Sequence, residues 1–94
     1  MTIVNRQVLI DGGRKHADTK GQLDAWFAEA EKARWSGPMD VKQRHASASF
    51  LAGNVVIINI KGNRYRLVLK VNYPSGIVLV KWFGTHAEYD KMTF

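Results

Sequence analysis

The sequence predicts an α+β fold, with helices in the first half and an antiparallel β-meander in the second. Two observations carry that prediction. The first half holds apolar residues at helical spacing, clearest in Leu23, Trp26, Phe27, Ala30 and Ala33, which fall at i, i+3, i+4, i+7 and i+10. After residue 47 the pattern changes to short apolar runs, 48–51, 55–60, 65–73 and 77–83, parted by Ala52-Gly53-Asn54, Gly62-Asn63 and Pro74-Ser75-Gly76. Gly and Asn supply positive φ at such turns and Pro a fixed one, so consecutive runs become antiparallel neighbours. The helices cover one face of this sheet, and a short helical turn follows the last strand.

Taken in order, Asn5 is a candidate N-cap for a helix through about Lys15, with Val8 and Leu9 facing inward. Gly12-Gly13 weakens its end, each Gly costing about 1 kcal/mol against Ala. Thr19 and Gln22 have the spacing of a capping box. They open a helix over 20–35 whose outer face carries Asp24, Glu29, Glu31 and Lys32. Ser36-Gly37-Pro38 ends it, and Pro38 suits the first turn of a short helix over 38–45. In the third apolar run, alternation puts Arg64, Arg66, Val68, Lys70 and Asn72 on one face and Tyr65, Leu67, Leu69 and Val71 on the other. Asn59 and Lys61 point together, and Lys81 sits with Leu79 and Phe83. The meander thus gathers Asn59, Lys61, Arg64, Arg66, Lys70 and Lys81 on an open face. It turns Tyr65, Leu67, Leu69, Val78, Val80 and Trp82 toward the helices.

At 94 residues the chain has the length of one domain, spanning 1–94. Its 46% hydrophobic content, with Trp26, Trp35 and Trp82, is enough for a core and argues against disorder. The lack of cysteine excludes disulfides, thiol catalysis and cysteine-ligated zinc. No signal-peptide run and no stretch of roughly 18 apolar residues is present, so the expected location is the cytoplasm, with no membrane partner. No HExxH, Walker loop, GxSxG or dense cluster of metal-ligating side chains appears, and neither metal nor cofactor is expected.

Charge is unevenly spread. The chain has 14 Lys+Arg against 8 Asp+Glu, a net +6. Between Val55 and Gly84 stand Lys61, Arg64, Arg66, Lys70 and Lys81, with no acid among them. A plain solvated sheet face mixes signs, whereas cations held on rigid strands suit phosphates. A second constellation is Gly84-Thr85-His86-Ala87-Glu88-Tyr89-Asp90-Lys91, in which a helical turn sets His86 and Tyr89 on one side. By itself such a pair also suits C-terminal packing. Beside a phosphate-binding sheet, a His able to titrate near neutral pH and a Tyr point to RNA cleavage without a metal. The 2′-hydroxyl would be the nucleophile and the cations would meet the charge of the transition state. His16 and His45 read as surface or capping groups, and Trp26, Phe27 and Trp35 as core.

The runs Asn59-Ile60-Lys61-Gly62-Asn63-Arg64-Tyr65-Arg66-Leu67-Val68 and Gly84-Thr85-His86-Ala87-Glu88-Tyr89-Asp90-Lys91 resemble those of HigB-type toxins from bacterial toxin–antitoxin modules. Trp35 to Lys42 and Ala48-Ser49 fit the same pattern. The resemblance implies a RelE-like fold and an mRNA interferase that cuts mRNA on the translating 70S ribosome, without metal or cofactor. It implies a HigA-type antitoxin with a helix-turn-helix domain as partner, through which alone the toxin would reach operator DNA. Carried over by position, the implied catalytic residues are Lys61, Arg66, His86 and Tyr89. Asn63 and Arg64 are the implied RNA contacts, and Lys70, Lys81 and Lys91 are further expected ones. A non-catalytic module binding nucleic acid or antitoxin through the same basic face is the alternative.

Overall fold

In the computed structural model, which describes residues 1–92, a five-stranded sheet runs in the order β1-β5-β4-β3-β2. The strands are β1 (Thr2–Val4), β2 (Ser49–Leu51), β3 (Val55–Ile60), β4 (Tyr65–Asn72) and β5 (Ile77–Thr85). β2 to β5 form the expected antiparallel meander. The short β1 adds a parallel edge beside β5, pairing Val4 with Leu79, so the sheet is mixed rather than wholly antiparallel. Three residues are too few to display alternation, which is why β1 leaves no period in the sequence.

Helices α1 (Gln7–Lys15), α2 (Lys20–Lys32) and α3 (Pro38–Arg44) enclose one face of the sheet. Leu9, Leu23, Trp26, Ala30, Trp35 and Val41 pack there against Val56, Ile58, Ile60, Leu67, Leu69, Val71, Val78 and Val80. The expected face of the second helix is thus the buried one. That helix stops at Lys32, because Ala33 is already extended at φ −72° and ψ 156°. Pro38 opens α3 as expected.

The expected caps of the first two helices are not formed. Asn5 sits at φ 68°, a left-handed corner between β1 and α1, and its amide donates to the Val80 carbonyl at 3.0 Å. Thr19 ends a 3₁₀ turn (Ala17–Thr19) and its hydroxyl donates to the His16 carbonyl at 2.7 Å, buried from solvent. Gln22 is drawn elsewhere: its side-chain oxygen accepts from the Lys61 amide at 3.0 Å, tying α2 to the β3–β4 turn. In both places a tertiary acceptor or donor outcompetes the local cap.

The largest departure from simple alternation lies in β5. Opposite β4, Leu69 pairs with Val80 and Val68 with Trp82, so Lys81 is an extra residue in a β-bulge. Before the bulge, Val78 and Val80 face the helices as expected. After it the faces exchange: Phe83 turns to the core side against Tyr65, and Trp82 turns to the open face beside Val68. Trp82 is therefore not a core-side residue. Gly12 is where α1 meets the re-aimed Phe83, since a Cβ there would stand 2.5 Å from its ring. The helical turn expected after the last strand is α4 (His86–Asp90), which folds onto the open face.

Candidate active site

The open face is divided along the strands. At the end nearer α4, Asn59, Arg66 and Gly84 stand in one row across β3, β4 and β5. The next row holds Ile57, Val68 and Trp82. Val55, Ile57 and Val68 form a small buried cluster here, roofed by Trp82 and Tyr89, whose ring centroids are 6.3 Å apart. This face is thus not uniformly basic. Aliphatic residues seat the aromatic pair, and Arg66 lies beside it.

Arg66 is half-buried at the centre. Its guanidinium donates to the Asn63 carbonyl at 3.4 Å and lies 6.0 Å from the centre of the Tyr89 ring. The 61–64 turn beside it is tightly wound, with Lys61 at φ 53° and Gly62 at φ 64°. Gly adopts that conformation freely, whereas a Lys does so at a cost of about 1–2 kcal/mol. Turn and α4 are joined directly: Tyr65 pairs with Thr85, and the His86 amide donates to the Arg64 carbonyl at 2.8 Å. Asn63, Arg64 and Arg66 are thereby brought to the same end of the sheet as His86 and Tyr89, with the Lys61 backbone at the far side of the turn.

Helix α4 is only five residues long and owes its placement to a capping box. The Glu88 amide donates to the Thr85 hydroxyl at 3.1 Å, and the Glu88 carboxylate accepts from the Thr85 amide at 2.9 Å. The Thr85 backbone N–H is the main reason that the Glu88 carboxyl titrates below the usual range, with smaller help from the Thr85 hydroxyl and nearby Lys15 and His16. Glu88 is therefore a structural acid. Gly84 completes the join, because a Cβ there would stand 2.6 Å from the Trp82 ring and 3.0 Å from Glu88 Oε1.

His86 Nδ1 lies 3.0 Å from Asp90 Oδ2, one helical turn on, and both side chains are about half-exposed. Asp90 thereby engages Nδ1 and orients the imidazole ring. Asp90 was not among the expected site residues, although its i+4 spacing from His86 is a signal the sequence contains. Trp82 was missed because a bulge has no mark in an alternation pattern.

Two expected RNA contacts stand apart from this cluster. Lys70 lies four residues along β4 from Arg66, about 13 Å at the usual strand rise. Lys81, on the bulge, lines a groove along α1 that it shares with Lys15, His16, Trp82, Phe83 and Glu88. Lys91 is exposed just past α4. His16 forms the C-cap of α1 and packs its ring on Tyr65 at 4.9 Å, while the Tyr65 hydroxyl donates to Asp18. His45 caps α3 and is half-buried, and burial pushes its pKa down.

Among the described residues, no three of His, Cys, Asp and Glu gather in a way that could hold a metal ion, and no helix is long and apolar enough to cross a membrane. No curated protein matches the chain. A family model matches residues 19–92: HigB_toxin, the RelE-like toxic component of a toxin–antitoxin system.

Proposed function

The chain belongs to the HigB toxin family, the RelE-like toxic component of a toxin–antitoxin system, and from that premise we propose that it is an mRNA interferase acting on the translating ribosome. Its antitoxin partner is then of the HigA type. The observation that carries the reading is the convergence, at one end of an open sheet face, of Arg66, the Lys61–Arg64 turn and a His86 oriented by Asp90.

In this reading His86 Nε2 takes the proton of a ribose 2′-hydroxyl, and the freed oxygen bonds to the adjacent phosphorus. Arg66 and Lys61 meet the charge that builds on the non-bridging oxygens. The bond to the 5′-oxygen then breaks, and that oxygen leaves with a proton from the Tyr89 hydroxyl. The products are a 2′,3′-cyclic phosphate and a 5′-hydroxyl. Asn63, Arg64 and Lys91 seat the flanking strand. The half-buried pair Trp82 and Tyr89 presents aromatic surface on which an exposed base can stack.

Growth arrest on induced expression is the test. The wild type arrests growth, and Arg66→Ala and His86→Ala, each folded by circular dichroism, lose the arrest. Removing the electrostatic contact should cost about 10²–10³ in rate, and removing the base about 10²–10⁴. Undiminished arrest by both folded variants would overturn the site assignment. No arrest by the wild type would leave the basic face as a binding surface only.

A further inference from the structure

Away from the Arg66 cluster, the same open face changes character. The strand register aligns Leu51, Val55, Lys70, Leu79 and Val4 in one row crossing all five strands. Leu51, Leu79 and Val4 are 41%, 36% and 42% exposed, and neighbouring Ile77 is 40% exposed. At about 4.8 Å per strand the row is roughly 19 Å wide. Helices α1, α2 and α3 pack on the opposite face, and α4 sits over Val68 and Trp82. Solvated faces of half-buried sheets ordinarily carry polar residues. A contiguous aliphatic row with a single cation in its middle marks an interaction surface.

The chemistry of the row selects among occupants. RNA presents phosphates, sugars and base faces, which seek cations and aromatic rings, and aliphatic side chains offer neither. A second copy docking by a two-fold axis would set Lys70 near Lys70 and join two chains of net +6. A protein segment with apolar residues flanking a carboxylate fits both the aliphatic ends and the central Lys70. The row continues directly into Val55, which belongs to the cluster under Trp82 and Tyr89.

We propose that the antitoxin docks such an apolar, carboxylate-bearing segment on the row Leu51–Val55–Lys70–Leu79–Val4, bordering the Trp82–Tyr89 pair. The proposal rests on the family's antitoxin partner and is independent of whether the toxin is a nuclease.

The test is calorimetric titration of the folded toxin with its purified antitoxin, for wild type, Leu79→Glu, Leu51→Glu and Lys70→Glu. A milder Leu51→Ala/Leu79→Ala double variant covers the case that a glutamate impairs folding. Growth arrest by the leucine variants is scored in parallel, with and without co-expressed antitoxin. The proposal expects each glutamate variant to bind about 30-fold or more weakly, the size of a hot-spot loss, and the alanine double variant to weaken likewise. The leucine variants should arrest growth as the wild type does and resist rescue by the antitoxin. Unchanged affinity across the set overturns the proposal. So does loss of arrest with antitoxin affinity retained, which would assign the row to RNA or the ribosome. A wild-type dimer dissolved by Leu79→Glu, with antitoxin affinity unaltered, would overturn it in favour of a second copy. Because affinity is read with purified proteins, a failure of the nuclease reading leaves this measurement intact.

Discussion

Lys61 combines a left-handed backbone with a cationic side chain, and the two can be separated. Lys61→Gly removes the amine while relieving the conformation, so thermal denaturation should show stability unchanged or raised by up to about 1 kcal/mol. RNA cleavage should nevertheless fall about 10²-fold. A large loss of stability would mean that the side chain holds the turn. A different experiment isolates His45, whose pKa is lowered chiefly by burial, with Glu29 raising it and Arg44 lowering it. Since the folded form disfavours the proton, this contribution is whole above the ordinary His value near 6.5 and is lost as pH falls through the lower folded-state pKa. His45→Gln should flatten that part of the acid-side decline in melting temperature. At this scale the residue types were readable but their partners were not. Basic residues between Val55 and Gly84 stood out against an absence of acids, whereas Asn5 and Gln22 were claimed by the distant Val80 carbonyl and Lys61 amide, which local spacing cannot reveal.

Helix α4 and the end of β5 act as one element, because the capping box, Gly84 and the Trp82 ring are in mutual contact. Thr85→Ala removes the hydroxyl that caps Glu88 and should cost about 1 kcal/mol, read by denaturant titration. Its larger effect should fall on cleavage, since α4 carries both His86 and Tyr89. Gly84→Val should be more damaging in both assays, displacing Trp82 from its seat. The helices expected over 20–35 and 38–45, found over Lys20–Lys32 and Pro38–Arg44, and the four meander strands were legible from period and punctuation alone. What escaped was the bulge at Lys81, because alternation assumes one residue per step and a single inserted residue exchanges every face beyond it. The consequence was confined to the end of β5, so Arg66, Val68 and Lys70 share a face as alternation expects, while the aliphatic seat and aromatic roof on that face were not foreseen.

For the whole molecule, the net charge of +6 draws the chain to polyanions, and affinity for single-stranded RNA should fall with log salt at a slope of about 0.7 per phosphate met. Arg64→Ala should reduce that slope by about one contact. Lys70→Ala should leave it nearly unchanged, since Lys70 stands about 13 Å along β4 from Arg66. Composition alone could not divide these cations, because the separation depends on strand register. In the proposed reading, charge supplies attraction to RNA in general, and the cluster of Arg66, His86 and Tyr89 supplies the cut. Primer-extension mapping on a translated reporter mRNA, with and without ribosomes, tests that division most directly. Cuts within the reading frame that require ribosomes and vanish in Arg66→Ala are the expected result. A folded wild type that leaves the translated message intact, or an Arg66→Ala variant that cuts as well as the wild type, would contradict it.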